Sequence, residues 1–170
     1  MISINNINKF LLYFLPISLI IGSAAVNILV SLICVLIIYT LIKEKKNYYF
    51  INKYFIFFIL WCLYLILLSI TSDHILLSLG GSLFYFRFGL LVLAMYYFSS
   101  IDENFNYYFF ISLLFCFSIL IFDTFFQNIF DKNIFGMYRE DGRISSFFGS
   151  ELILGSYLSR LFPLFLALIF

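Results

Sequence analysis

The chain has 170 residues, of which 64% are hydrophobic and 11% charged, including 25 Phe and 13 Tyr. Soluble domains run nearer roughly 45–50% apolar and 25% charged, so the composition excludes an ordinary water-soluble globule and predicts an all-α, polytopic transmembrane helix bundle. The net charge of +1 gives no reason to propose a nucleic-acid partner or a polybasic arm.

Lys9 precedes an apolar run from Phe10 to Ile42. As one helix it would be about 50 Å long against a hydrocarbon core of about 30 Å. A hairpin of two helices turning within Gly22–Asn27 fits better. The alternative is a signal peptide cleaved near Ser23-Ala24-Ala25, but one lysine makes a thin positive region and a second apolar segment follows at once. The hairpin is favoured.

Lys43–Lys46 ("KEKK") and Lys53 form the densest positive cluster and are expected to face the cytoplasm. A third helix is predicted from Lys53 to Ile70, with a connection at Thr71–Ser82 on the outside. A fourth helix, Gly81–Phe98, carries Arg87. Ser99–Asn106 returns to the cytoplasm, and a fifth helix, Tyr107–Phe126, ends near Asp123. Gln127–Ser146 is an outside loop, and a sixth helix is predicted from Phe147 onward. Lys9, Lys43, Lys45, Lys46 and Lys53 then lie inside, and Lys132, Arg139 and Arg143 outside. The whole chain, 1–170, reads as one transmembrane domain of about six helices with no soluble domain, a part of a larger bundle because its last residues are still apolar.

Charged residues at membrane depth are functional candidates by default, because hydrocarbon makes them costly. Arg87 reads either as an arginine snorkelling to outer headgroups or as a cation for a phosphate or carboxylate. Asp123 and Gln127 are four apart and share a helix face; the first is expected to be a counter-ion or helix-end carboxylate able to neutralise an arginine. Asp141-Gly142 signals a turn flanked by Arg139 and Arg143. Ser145-Ser146 is expected to cap the next helix, with Glu151 in its first turn near the positive dipole end. Arg160 shares a face with Ser156, and Pro163 beyond it frees a carbonyl. Cys34, Cys62 and Cys116 lie in apolar runs without metal spacing, and His74 is the lone histidine, so no metal site is expected.

The order D-x-x-x-Q, then "GRISSFFGSELILGSYLSRLFPL", after a helix carrying "FRFGLLVLAMYYF", resembles the bacterial O-antigen polymerase and O-antigen ligase superfamily. Arg143, Ser145, Phe147, Phe148, Gly149, Glu151, Gly155, Leu158 and Arg160 carry the match, which covers about Asp123–Pro163. Ser146 stands where that pattern commonly has glycine. The resemblance implies an integral glycosyltransferase of the bacterial inner membrane that transfers glycan from undecaprenyl pyrophosphate in lipopolysaccharide biosynthesis, with a polymerase favoured over a ligase. It implies no cofactor at that step. Its partners would be the lipid-linked oligosaccharide, membrane lipids and a chain-length regulator. Arg87, Arg143 and Arg160 would hold the pyrophosphate, with Asp123, Glu151 and Ser156 as supporting polar groups. The acid–base residue is expected beyond Phe170, leaving this stretch inactive alone. A transporter or flippase for lipid-linked glycans is the alternative; it would be expected to show internal repeats and cations through both membrane halves, and neither is visible.

Overall fold

In a computed structural model, residues 4–138, 143–148 and 153–168 are described. Among them the protein is helical without strands: α1 (Ile4–Ile21), α2 (Ser23–Lys43), α3 (Lys53–Ile70), α4 (Ile75–Ser82), α5 (Phe86–Ile101), α6 (Phe105–Phe130) and α7 (Leu154–Ala167), with 3-10 turns at Asn47–Ile51 and Ser146–Phe148. Five spans are long and apolar enough to cross a membrane, the fourth being Ile75–Ile101, which holds both α4 and α5. In hydrocarbon a helix satisfies its own backbone, which is why such apolar runs fold this way. This is a multi-pass membrane protein.

The described chain divides into two compact units. The first comprises the residues up to Leu11 and Ile28–Asp102. The expected hairpin is present: Gly22, at φ +137°, interrupts the helix, a conformation open to glycine because it lacks a Cβ. The Asn5 amide donates to Glu44 Oε1 at 3.0 Å and accepts from Thr40 Oγ1 at 3.3 Å, tying the start of α1 to the end of α2. Leu29, Val30, Ile33, Cys34, Ile37 and Leu41 form a buried stripe on α2, matched by Leu90, Leu93, Ala94, Tyr97 and Phe98 on α5. Their three- and four-residue spacing is that of one helix face. Helices α3 and α5 approach closely at Gly89, where a Cβ would lie 2.5 Å from the Phe58 ring. The opposite side of α3 is exposed and apolar, as a lipid-facing surface must be.

The connection expected at Thr71–Ser82 differs. Its second half is the helix α4, and residues 83–85 form the turn before α5. Ser69 explains the difference. Buried on α3, its hydroxyl lies 2.9 Å from Ser82 Oγ and within 3.5 Å of the Ser78 carbonyl, so α4 is held against α3.

The second unit comprises Leu12–Asn27 and the residues from Glu103 onward. Its axis is the 26-residue α6, ended by Asp131 in the left-handed region at φ +60°. The helix runs four residues past the expected end at Phe126 and takes in Gln127. Phe105, Phe109, Leu113, Cys116, Leu120, Asp123 and Gln127 form one buried stripe along it. Tyr157 of α7 donates its hydroxyl to the Pro16 carbonyl at 2.9 Å and sits 3.2 Å from Cys116 Sγ, while Ser112 donates to the Tyr13 carbonyl. Both bonds reach carbonyls in the turn around Pro16, which has no N–H to give the Leu12 carbonyl.

Candidate functional site

The apolar stripe of α6 ends in two polar residues, and the chain that follows folds back onto them. Asp123 and Gln127 are both fully buried. Burying a carboxylate and an amide is tolerable only where each is hydrogen-bonded. Asp123 Oδ1 accepts from the Ile134 N–H at 2.9 Å, and Oδ2 accepts from Ser146 Oγ at 2.6 Å. Gln127 Oε1 accepts from two backbone amides, Ser145 at 3.1 Å and Ser146 at 2.8 Å, and its Nε2 donates to the Met137 carbonyl at 3.5 Å.

Asn133 closes the knot. Only 1% exposed, it donates through Nδ2 to the Ser146 carbonyl at 2.8 Å and accepts from the Met137 N–H at 2.8 Å. Its own carbonyl takes the Gly136 N–H at 2.9 Å, and Gly136 sits at φ +85°, a conformation glycine adopts without a Cβ penalty. Sequence reading passed over Asn133. The available signal was Asn133-Ile-Phe-Gly136, a turn with an asparagine able to bond the backbone beyond it.

Ser146 itself is left-handed, at φ +53°. Its N–H, carbonyl and hydroxyl are all engaged, by Gln127, Asn133 and Asp123 in turn. A non-glycine residue is rare in this conformation and persists where surroundings over-determine it. Ser145-Ser146 therefore does not cap the following helix: Ser146 opens a 3-10 turn, and α7 begins at Leu154. Nor is Asp123 a wet helix end or, among the described residues, the partner of an arginine.

The other candidates fall as follows. Arg143 is exposed, two residues before the knot's serines. Arg160 and Ser156 are exposed on α7, where Ser159 Oγ donates to the Ser156 carbonyl at 3.1 Å. Since α7 begins at Leu154, Arg160 lies about 9 Å along it. At 14 residues α7 is about 21 Å long, less than the roughly 30 Å of hydrocarbon. Glu151 and Arg139 lie outside the described residues. Arg87, in the first unit, is the second residue of α5 rather than several residues into a helix. It is half-buried, with its guanidinium 5.5 Å from the Phe88 ring centre and its carbonyl taking Cys34 Sγ at 3.3 Å.

Beside the knot is an apolar groove of about 380 Å³ lined by Ile17, Ile20, Phe115, Ile119, Phe135 and Phe147, among others. Phe135 and Phe147 pack with ring centres 5.3 Å apart, so the loop that makes the knot also makes one wall of the groove.

The first unit holds a second polar cluster that sequence reading did not single out. Glu44 accepts from Tyr97 OH at 2.6 Å and pairs with Lys46 at 2.8 Å, in addition to Asn5. Hydrogen bonds from Lys46 first, then Tyr97 and Asn5, hold its carboxyl down to about 2. Lys9 pairs with Asp102 on the same unit.

The fold and knot define a multi-pass helical membrane protein with a loop clamped onto the end of its longest helix. No family of known proteins, no curated protein and no solved structure matches the chain.

Proposed function

We propose that the chain is part of an integral-membrane glycosyltransferase of the O-antigen polymerase and ligase kind, acting in the bacterial inner membrane on glycan carried by undecaprenyl pyrophosphate, with polymerase favoured over ligase. The observation that carries the proposal is the conformation of Ser146. The resembled pattern commonly has glycine there, and here the backbone is left-handed, as glycine readily allows. A left-handed residue at the position where the pattern has glycine supports the reading, with Asp123 and Gln127 accepting hydrogen bonds from the serine that stands there.

The reading assigns chemistry to the neighbours of that turn. A departing pyrophosphate develops negative charge, and an arginine fork stabilises it through two parallel hydrogen bonds. Arg143 is exposed and anchored within two residues of the knot, which lowers the entropy lost on binding. The same segment carries Phe147 into the apolar groove, a surface suited to the hydrocarbon part of a lipid-linked substrate. Arg160 and Arg87 are further pyrophosphate candidates, with Glu151 and Ser156 as polar support. The membrane orientation proposed is Lys43–Lys46 inside and the knot outside.

The test is replacement of Arg143 in the native gene, with lipopolysaccharide ladder length and membrane-protein level measured together. Arg143→Ala is expected to collapse the ladder at normal abundance, and Arg143→Lys to restore it in part, because lysine supplies charge without the fork. A normal ladder from Arg143→Ala at normal abundance refutes the assignment.

A further inference from the structure

We propose that the segment joining α2 to α3 is a docking surface for anionic phospholipid, with the phosphate held at Lys43, Lys45 and Lys53 and the acyl chains laid along α3. The surface belongs to the first unit and does not depend on the glycosyltransferase reading.

Charge is the first part of the argument. From Lys43 to Tyr54 the chain carries four lysines and one acid, Glu44. That acid is already taken by Lys46, Tyr97 and Asn5. Lys43, Lys45 and Lys53 are all exposed, and none is paired with Glu44. Lys45 is turned outward in a left-handed residue at φ +53°. Lys43 and Lys53 stand over tyrosine rings, 5.7 Å from Tyr39 and 5.1 Å from Tyr54, which leaves their charge available to an anion.

Anchoring is the second part. Tyr49 is buried, with its hydroxyl 2.9 Å from Ser100 Oγ and its ring edge-on to Tyr97 at 5.4 Å. The short 3-10 turn is thereby pinned to the end of α5. Tyr48 and Tyr54 stay 63% and 73% exposed, and tyrosines of this kind settle at the headgroup level of a bilayer.

The surface beneath is the third part. Below Lys53 the exposed face of α3 carries Phe57, Leu60, Trp61 and Tyr64. These fall within about a quarter turn of Lys53 around the helix. Cations at the interface above an uninterrupted apolar strip match a lipid with an anionic head. They do not match a soluble acidic protein, which has no use for the strip.

Trp61 is the only tryptophan, and it lies about 12 Å along the helix from Lys53, near the depth of mid-chain lipid carbons. Its fluorescence therefore reports which lipid occupies the strip. The protein is placed in phosphatidylcholine vesicles containing a fixed fraction of either dibrominated phosphatidylglycerol or dibrominated phosphatidylcholine. Brominated phosphatidylglycerol is expected to quench more strongly at low salt, with a relative association roughly fivefold higher per engaged lysine. The excess is expected to vanish at about 1 M salt, where the screening length falls to about 3 Å. The single variants Lys43→Gln, Lys45→Gln and Lys53→Gln are each expected to lower the excess, and the triple variant to abolish it. Equal quenching by the two lipids at low salt overturns the proposal. So does an excess that survives salt, or one unchanged in all three single variants.

Discussion

Asp123 Oδ2 and Ser146 Oγ are joined by a 2.6 Å hydrogen bond between residues 23 positions apart in sequence, both fully buried. This bond and the two that Gln127 accepts fold the loop after α6 back onto the helix that precedes it. The loop is thus held by side chains from a membrane-spanning helix rather than by strand pairing, its isolated bridge being Lys132 with Tyr138 among the described residues.

Replacing Asp123 tests the weight of this relationship. Asp123→Ala leaves the buried Ser146 hydroxyl without its acceptor and frees the part-buried Ile134 N–H, and an unpaired buried group costs about 1–3 kcal/mol. A clear fall in the midpoint of thermal unfolding in detergent is expected, with Asp123→Asn milder because it keeps a carbonyl acceptor. An unchanged midpoint in Asp123→Ala would show that the bond is dispensable.

Ser146 separates backbone from side chain. Ser146→Gly loses the hydroxyl but relaxes a left-handed residue, whereas Ser146→Ala loses the hydroxyl and keeps a Cβ at φ +53°. The left-handed conformation costs a non-glycine residue about 1–2 kcal/mol. The alanine variant is therefore expected to be the less stable by roughly 1 kcal/mol. Equal stabilities would remove backbone strain from the account.

Gln127→Leu deprives the Ser145 and Ser146 amides of their shared acceptor, while Gln127→Glu keeps one. Hydrogen exchange at these two amides is expected to speed up in the leucine variant and to stay near native in the glutamate variant. Native exchange in both would place the protection elsewhere.

Gly89→Ala puts a methyl group 2.5 Å from Phe58 Cδ1 and Cε1. Overpacking of this kind typically costs about 1–3 kcal/mol. Because the obstacle is a side chain, Phe58→Leu in the same protein is expected to recover part of the loss. Additive destabilisation in the double variant would contradict direct contact between α3 and α5 at this point.

Glu44 sets a pH dependence at the other polar cluster. Its carboxyl is held below the ordinary value of 4.5, to about 2, by bonds from Lys46, Tyr97 and Asn5. A depressed carboxyl stabilises the fold above its unfolded value, and that contribution is lost as pH falls through the folded one. The stability gap between native protein and Glu44→Gln is expected to be constant from pH 7 to 5 and to shrink between about 4.5 and 2. The group is largely solvent-exposed, so the gap is small. A gap that closes above pH 5 would show the carboxyl is not depressed.

Local pattern alone determined much of this protein. Apolar run length marked α3 at Lys53–Ile70, and the excess length of Phe10–Ile42 demanded a break that occurs at Gly22. The four-residue spacing of Asp123 and Gln127 put them on one face, because helical period is a property of the chain itself. What that face binds was not legible. A period says which way side chains point, not which distant segment arrives there, and the partners come from Asn133, Ile134, Ser145 and Ser146. The same limit applies to α4, whose "ILLSLGGS" reads from sequence as part of the Thr71–Ser82 connection. It is helical where Ser69 of α3 meets Ser78 and Ser82. Tertiary structure decided it there, since most helical stability in a folded protein comes from packing against a neighbour rather than from local propensity.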